Sequence, residues 1–313
     1  MASWQAHALD AMIRVTVKRK LKNQADIESA RAALGGSELP APQTVSYTQD
    51  AVGGVIGEWI TAPETPADAP TLLYLHGGGY FACSPRTHRP LTAAFAHAGF
   101  RVYAPNYRKA PEHPFPAAIE DADKVFSALL AGGTPPGRIV AAGDSAGGGL
   151  TLALMLTLRD SGRTLPAAAA LFSPWTDLAA TGASVQENVK RDAMFWAPGI
   201  KTGAAFYLGD TDPQNPLASP LYAELAGLPP LLVHAGEREL LRDDSTRLAE
   251  RARAAGVHVE LRVWDVVPHV WQLAQNFVPE ARESVKLAAA FLHAAVAPSG
   301  AAAAGMKNYD PSI

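Results

Sequence analysis

From Thr71 onward, short runs of consecutive apolar residues alternate with longer stretches whose apolar positions recur every three or four residues. The runs are TLLYLH, FRVYAP, RIVAAG, AALFSP, PLLVHAG and VHVELRVW. Unbroken apolar runs of this length are what a strand covered on both faces requires. The segments between them, among them PAAIEDADKVFSALLAG, GGGLTLALMLTLRDSG and DDSTRLAERARAAG, carry helical periodicity. Strands alternating with helices predict parallel βαβ units in one doubly wound α/β domain. Ahead of them TVSYT and VIGEWI flank Gly53 and Gly54, which predicts a hairpin between Thr44 and Trp59. The expected sheet has eight strands, mostly parallel, with helices on both faces.

Two regions break the alternation. In the first, Leu9, Met12, Ile13 and Val17 recur at helical spacing among Arg14, Lys18, Arg19, Lys20 and Lys22, which predicts an amphipathic helix packed on the protein. The second holds a mixture of Trp, Phe and Pro (AMFWAPGIKTGAAFYLGD) between two strands. Insertions at the strand-terminal edge of such sheets form lids over the ligand crevice, so both regions read as one helical cap. The predicted organisation is therefore N-terminal cap helices over 1–40, a first part of the core over 41–177, a cap insertion over 178–226, a second part of the core over 227–298 and a low-complexity, fraying tail over 299–313.

Composition narrows the classes of function. With 48% hydrophobic and 18% charged residues the 313-residue chain buries a large core and is not disordered. A net charge of −3 provides no field for collecting nucleic acid or anionic lipid. Cys83 is the lone cysteine, which excludes an internal disulfide and any multi-thiolate metal site. No apolar run reaches 18 residues, and the opening residues lack the apolar stretch and cleavage site of a signal peptide. The expectation is a soluble, cytoplasmic protein with no membrane partner.

Gly143-Asp144-Ser145-Ala146-Gly147 fits G-x-S-x-G and stands between a predicted strand and a predicted helix, the context in which a serine nucleophile sits on a sharp turn. His76-Gly77-Gly78-Gly79 ends another strand, where backbone free of side chains lets amides converge on a developing oxyanion. A serine hydroxyl needs an oriented histidine and a carboxylate behind it, in the chain order Ser, acid, His. Of the histidines well beyond Ser145, His234 lies inside an apolar run, His258 at a strand start and His293 in the last helix. His269, in the loop VVPHVWQL, is the expected base. The acid should follow PLLVHAG, where Glu237, Glu239, Asp243 and Asp244 compete. The two aspartates suit capping or dipole roles in a first helical turn. Spacing alone does not separate Glu237 from Glu239.

The blocks HGGGYF, NYRKAPEHPFPAAIEDA, GDSAGG, SPWTDL, ASPLYAEL and GERELLRDDSTRLA resemble those of the hormone-sensitive-lipase family of bacterial serine esterases, within the α/β-hydrolases. The resemblance runs from about Tyr74 to about Leu292. It implies an α/β-hydrolase fold, a Ser145–His269 pair, and an acid at Glu239, where many relatives carry an aspartate. It implies oxyanion donors at the backbone amides of Gly78, Gly79 and Ala146. Tyr107 and the segment to Pro116 look like buried framework, and Cys83 like a packed small residue. Tyr80, Phe81, Asp144, Phe195, Trp196 and Phe206 are candidates for contact with substrate. The activity implied is hydrolysis of small carboxylic esters with no metal or organic cofactor, and the bulk of Tyr80, Phe81, Phe195, Trp196 and Phe206 in the lining predicts a preference for short acyl groups of about four to six carbons. Lactones and acetylated small molecules are close variants. A non-catalytic receptor on the same fold is disfavoured by the presence of His269, and a membrane-lipid lipase lacks support in the mixed cap. Relatives pair through the last strand, so a homodimer through VHVELRVW is expected.

Overall fold

A computed structural model describes residues 2–22, 26–35 and 41–296. The expected tail, 299–313, and parts of the expected N-terminal cap lie outside the described residues. Eight strands form one sheet: β1 (Ser46–Val52), β2 (Val55–Thr61), β3 (Thr71–Leu75), β4 (Arg101–Pro105), β5 (Ile139–Asp144), β6 (Ala169–Phe172), β7 (Leu231–Gly236) and β8 (Val259–Trp264). Their order is β1-β2-β4-β3-β5-β6-β7-β8. The predicted hairpin β1–β2 is antiparallel, as is β2 against β4, and every other pair is parallel.

The helices in chain order are α1 (Trp4–Ile13), α2 (Arg19–Lys22), α3 (Ile27–Gly35), α4 (Arg89–His97), α5 (Ala117–Ala131), α6 (Ala146–Asp160), α7 (Ser184–Glu187), α8 (Ala197–Leu208), α9 (Arg242–Ala254) and α10 (Pro279–Val296). Both faces of the sheet are covered, for the reason the apolar runs suggest. Leu72 and Tyr74 of β3 point to one face, where Leu91 and Phe95 of α4 and Val285 and Leu292 of α10 bury them. Leu73 and Leu75 point to the other and pack against Ile119 and Phe126 of α5 and Leu150 and Leu154 of α6. Farther along that second face α6 and α9 cover β6 and β7, through Leu152, Met155 and Leu248.

The strand order reverses direction between the neighbouring parallel strands β3 and β5, which is where open α/β sheets bind ligands. Register places Leu75 beside Gly143, Asp144 beside Phe172, Phe172 beside His234 and Gly236 beside Trp264. The segments that leave these strands (76–79, 145, 173, 237–239 and 265–269) therefore emerge side by side along one edge. Among the described residues no helix is long and apolar enough to cross a membrane.

Candidate active site

Ser145 occupies the turn between β5 and α6 with φ +52° and ψ −124°, a left-handed region that costs a non-glycine residue about 1–3 kcal/mol. The surroundings enforce it: Ser145 N donates to Phe172 O at 2.8 Å, and its carbonyl accepts from Gly148, Gly149 and Trp175. The tight turn explains the glycine that follows, since a Cβ on Gly147 would lie 1.9 Å from Leu75 O. α6 begins at Ala146, so the positive end of a fifteen-residue helix meets the serine.

The loop after β3 is shaped by backbone that only glycine adopts easily. Gly78 has φ +118° and Gly79 φ +63°, and a Cβ on Gly78 would meet Ala82 O at 2.3 Å. Asp144 ties this loop to the serine turn. Its Oδ1 accepts from Tyr74 Oη (2.6 Å) and Gly77 N (3.1 Å), and its Oδ2 pairs with His88 Nε2 at 3.2 Å. Burial works against the Asp144 charge, but His88 and these hydrogen bonds outweigh it and hold the carboxyl below its usual range. In His88 burial likewise opposes charge, and the Asp144 carboxylate raises the imidazole pKa above its ordinary value. The expected substrate contact at Asp144 is thus corrected. The residue borders the cavity but is 2% exposed, with both oxygens occupied, and it holds two loops in place.

The acidic turn after β7 separates two neighbours that spacing could not. Glu239 is buried; His269 Nδ1 donates to its Oε2 at 2.6 Å, while its Oε1 accepts from Ser173 Oγ (2.7 Å) and Gly236 N (2.6 Å). Glu237 points outward and pairs with Arg242 at 3.0 Å. Because a carboxylate only accepts, the contact fixes the proton on Nδ1 and leaves Nε2 with its lone pair. That Nε2 is buried and has no hydrogen-bond partner among the described residues, and His269 and Ser145 border the same cavity. Asp243 and Asp244 stand in the first turn of α9 but bond elsewhere: Asp243 accepts from Ser184 N, and Asp244 from Thr176 N and Asp177 N. The competing histidines are engaged as packing groups. His234 bonds Ser284, and burial pushes its pKa down to about 3. His293 bonds Ala98 O and stacks on Phe100, and His258 is half exposed.

The cavity has a volume of about 940 Å³ and is bordered by both regions that break the strand–helix alternation. Leu9, Met12, Ile13 and Val17 face it, as do Ala30, Ala33 and Leu34 of α3 and Ile200 and Gly203 of α8. Phe81, Phe195, Trp196 and Phe206 also border it. Phe195 sits edge-on to the His269 ring at 4.8 Å. Tyr80 does not, and that expectation is corrected. Its left-handed backbone (φ +66°) accompanies a side chain directed into the core, 1% exposed and stacked 3.7 Å from Tyr207. Cys83 borders the cavity half-buried with Sγ 3.6 Å from Leu34 O, and burial pushes its thiol up to about 12, so it holds no thiolate at neutral pH. Tyr107 is buried, stacks on His76 at 4.3 Å and donates to His76 O.

Several residues at the site carried no readable signal in the chain. Ser173 completes the setting of Glu239. Asn188 Nδ2 donates to the carbonyls of Glu237 and Glu239, and Asp192 accepts from Leu240 N, Met194 N and Phe195 N. Lys18 in turn donates to the carbonyls of Val189 and Asp192. A chain of contacts thus runs from the N-terminal helices through residues 188–192 to the acid turn.

An α/β sheet with a serine on a glycine-flanked turn, a glycine loop beside it and a buried Glu–His pair defines an α/β-hydrolase, and residues 72–273 match the family described as the alpha/beta hydrolase fold. The chain is 43% identical over 269 residues to an acetyl-hydrolase of Streptomyces hygroscopicus, covering 86% of this chain and 88% of that one. A crystal structure of EstE5 soaked with p-nitrophenyl butyrate superposes with a TM-score of 0.90 at 36% identity, covering 95% of this chain and all of that one. An esterase from the bacterial hormone-sensitive lipase family superposes at 0.87 with 41% identity and the same coverage. The chain belongs to the hormone-sensitive-lipase family of esterases and is a carboxylic ester hydrolase.

Proposed function

We propose that this esterase works through a Ser145–His269–Glu239 triad and an acyl-enzyme, on carboxylic esters with short acyl groups. The observation that carries the reading is the buried 2.6 Å contact of Glu239 with His269 Nδ1, in a cavity that His269 shares with Ser145. His269 Nε2 takes the Ser145 proton as Oγ attacks the ester carbonyl. The tetrahedral oxyanion is held by the backbone amides of Gly78, Gly79 and Ala146. His269 returns the proton to the leaving alcohol, and water, deprotonated by the same imidazole, then releases the acid. Glu239 stabilises the imidazolium at both stages. Lactones and acetylated small molecules would follow the same path, and the similarity to an acetyl-hydrolase supports a small acyl group.

The short-acyl preference rests on Phe81 and Phe206, packed edge to face at 5.4 Å, which fill space a long acyl chain would need. Hydrolysis of nitrophenyl esters from two to sixteen acyl carbons tests both parts. kcat/KM should peak at four to six carbons and fall at least about 10⁴-fold in Ser145→Ala. A maximum at ten or above refutes the acyl preference, and an active Ser145→Ala refutes the triad. Pairing of two copies through the edge strand β8, whose Glu260 and Arg262 face outward, completes the proposal. Light scattering at micromolar protein should give twice the monomer mass.

A further inference from the structure

The cavity is far larger than a short acyl group needs. At about 30 Å³ per heavy atom, a water's share of liquid volume, a four-carbon acyl group with its carbonyl oxygen takes up roughly 150 Å³. The cavity measures about 940 Å³. Where the remainder lies is set by the histidine, because the leaving alcohol must sit on the side of the imidazole that protonates it. The chain just beyond His269 borders the cavity through Val270, Leu273 and Phe277, together with α1. α1 is held there firmly: Ala6 is buried in one cluster with Trp264, Trp271 and Val278, and Ser3 donates from both N and Oγ to Glu280 at 2.6 and 2.8 Å.

The two sides differ in how they are closed. Toward Phe81 the lining is closed by packed aromatic rings: Phe81 is 6% exposed and meets Phe206 edge to face at 5.4 Å. Toward α1 the lining runs out into solvent: Trp4 is 75% exposed, Met12 53% and Phe277 73%, although all three border the cavity. Large apolar groups left in water and continuous with an apolar cavity mark a surface that binds something apolar. We propose that the enzyme takes esters that join a small acyl group to a large lipophilic alcohol. The alcohol lies between α1 and residues 270–278 and emerges past Trp4, Met12 and Phe277. The proposal rests on the ester-hydrolase reading of the same site and names its substrate class.

Two series of monomeric substrates test it, alkyl acetates from ethyl to decyl and ethyl alkanoates from acetate to decanoate. Burial of each methylene raises kcat/KM by up to about fourfold. The decyl-to-ethyl acetate ratio should therefore exceed about 30, whereas ethyl decanoate should be hydrolysed more slowly than ethyl acetate. In Trp4→Ala/Phe277→Ala, whose side chains lie mostly in solvent and whose folding is checked by thermal unfolding, the decyl-to-ethyl acetate ratio should fall at least tenfold through KM. Phe277→Ser alone should lower it about threefold. A ratio that stays flat with alkanol length, or that neither variant changes, overturns the inference. If wild type hydrolyses ethyl acetate in either of those cases, only the alcohol site falls. If wild type does not hydrolyse ethyl acetate at all, the reading beneath it falls too.

Discussion

The strand ends of the sheet and the segments that cover them are built by different means. At the strand ends the buried carboxylates have fixed partners: Glu239 has three hydrogen bonds, and Asp144 has two besides its contact with His88. Over them, α1, α3 and α8 offer mostly apolar surface, with few polar contacts to any group in the cavity. Polar networks hold atoms within tenths of an ångström, whereas apolar walls constrain volume. Changes at the strand ends should therefore move rates by orders of magnitude, and changes in the covering segments should shift which substrate is favoured.

The sharpest way to break that division is at the acid turn. Glu239→Ala should lower kcat/KM by roughly 10³-fold or more, because the imidazole loses its tautomer and its counter-charge. Glu237→Ala, which removes an exposed pair with Arg242, should change it less than about threefold. Equal losses in steady-state hydrolysis of nitrophenyl butyrate would place the acid elsewhere. Asp144→Ala comes next: it strands Tyr74 Oη and Gly77 N and leaves His88 without its counter-charge. A loss of about 3–5 kcal/mol in urea unfolding is expected. Across the boundary, Asn188→Ala removes the two bonds to the acid turn and should lower kcat about five- to tenfold with little change in KM. An altered KM at unchanged kcat would make Asn188 a wall residue instead. In the wall itself, Phe206→Ala should move the preferred acyl length upward by two or more carbons.

The smallest expected effect concerns pH. The His88 pKa is raised in the fold, so its contribution is complete below its ordinary value of about 6.5 and fades as pH climbs through the raised one. The stability gap between wild type and His88→Gln should accordingly narrow from pH 6 to pH 9. A constant gap would mean that the fold leaves the His88 pKa where it stands in the unfolded chain.

The same division decides what could be read from the chain. The strands β3 to β8 were legible because covering both faces of a parallel sheet demands apolar runs such as TLLYL and IVAAG, and β1 and β2 were legible as β-rich stretches flanking Gly53 and Gly54. The serine turn and the glycine loop were legible because steric limits leave glycine little competition there. Spacing could not separate Glu237 from Glu239, which only the family resemblance did, because both lie in one short turn after β7 and which one reaches His269 depends on Ser173 and Gly236 N, set by a neighbouring strand and the turn itself. Asp144 and Tyr80 were misassigned because a place beside a motif says nothing of side-chain direction. Hydrogen bonds decide it at Asp144; at Tyr80 the backbone is left-handed and the ring stacks on Tyr207. The covering segments were legible as helices bordering the site, through Leu9, Met12, Ile13 and Val17, but Asn188 and Asp192 bond mainly to backbone atoms, and such partners leave no pattern in the sequence.

One measurement bears on the whole account. Incubated with diethyl p-nitrophenyl phosphate, an esterase that uses the proposed triad should gain a single diethylphosphoryl group, with activity lost in step. Peptide mapping should place that group on Ser145, and Glu239→Ala should label far more slowly. A stoichiometric adduct on any other residue, or full loss of activity with Ser145 unmodified, would contradict the account.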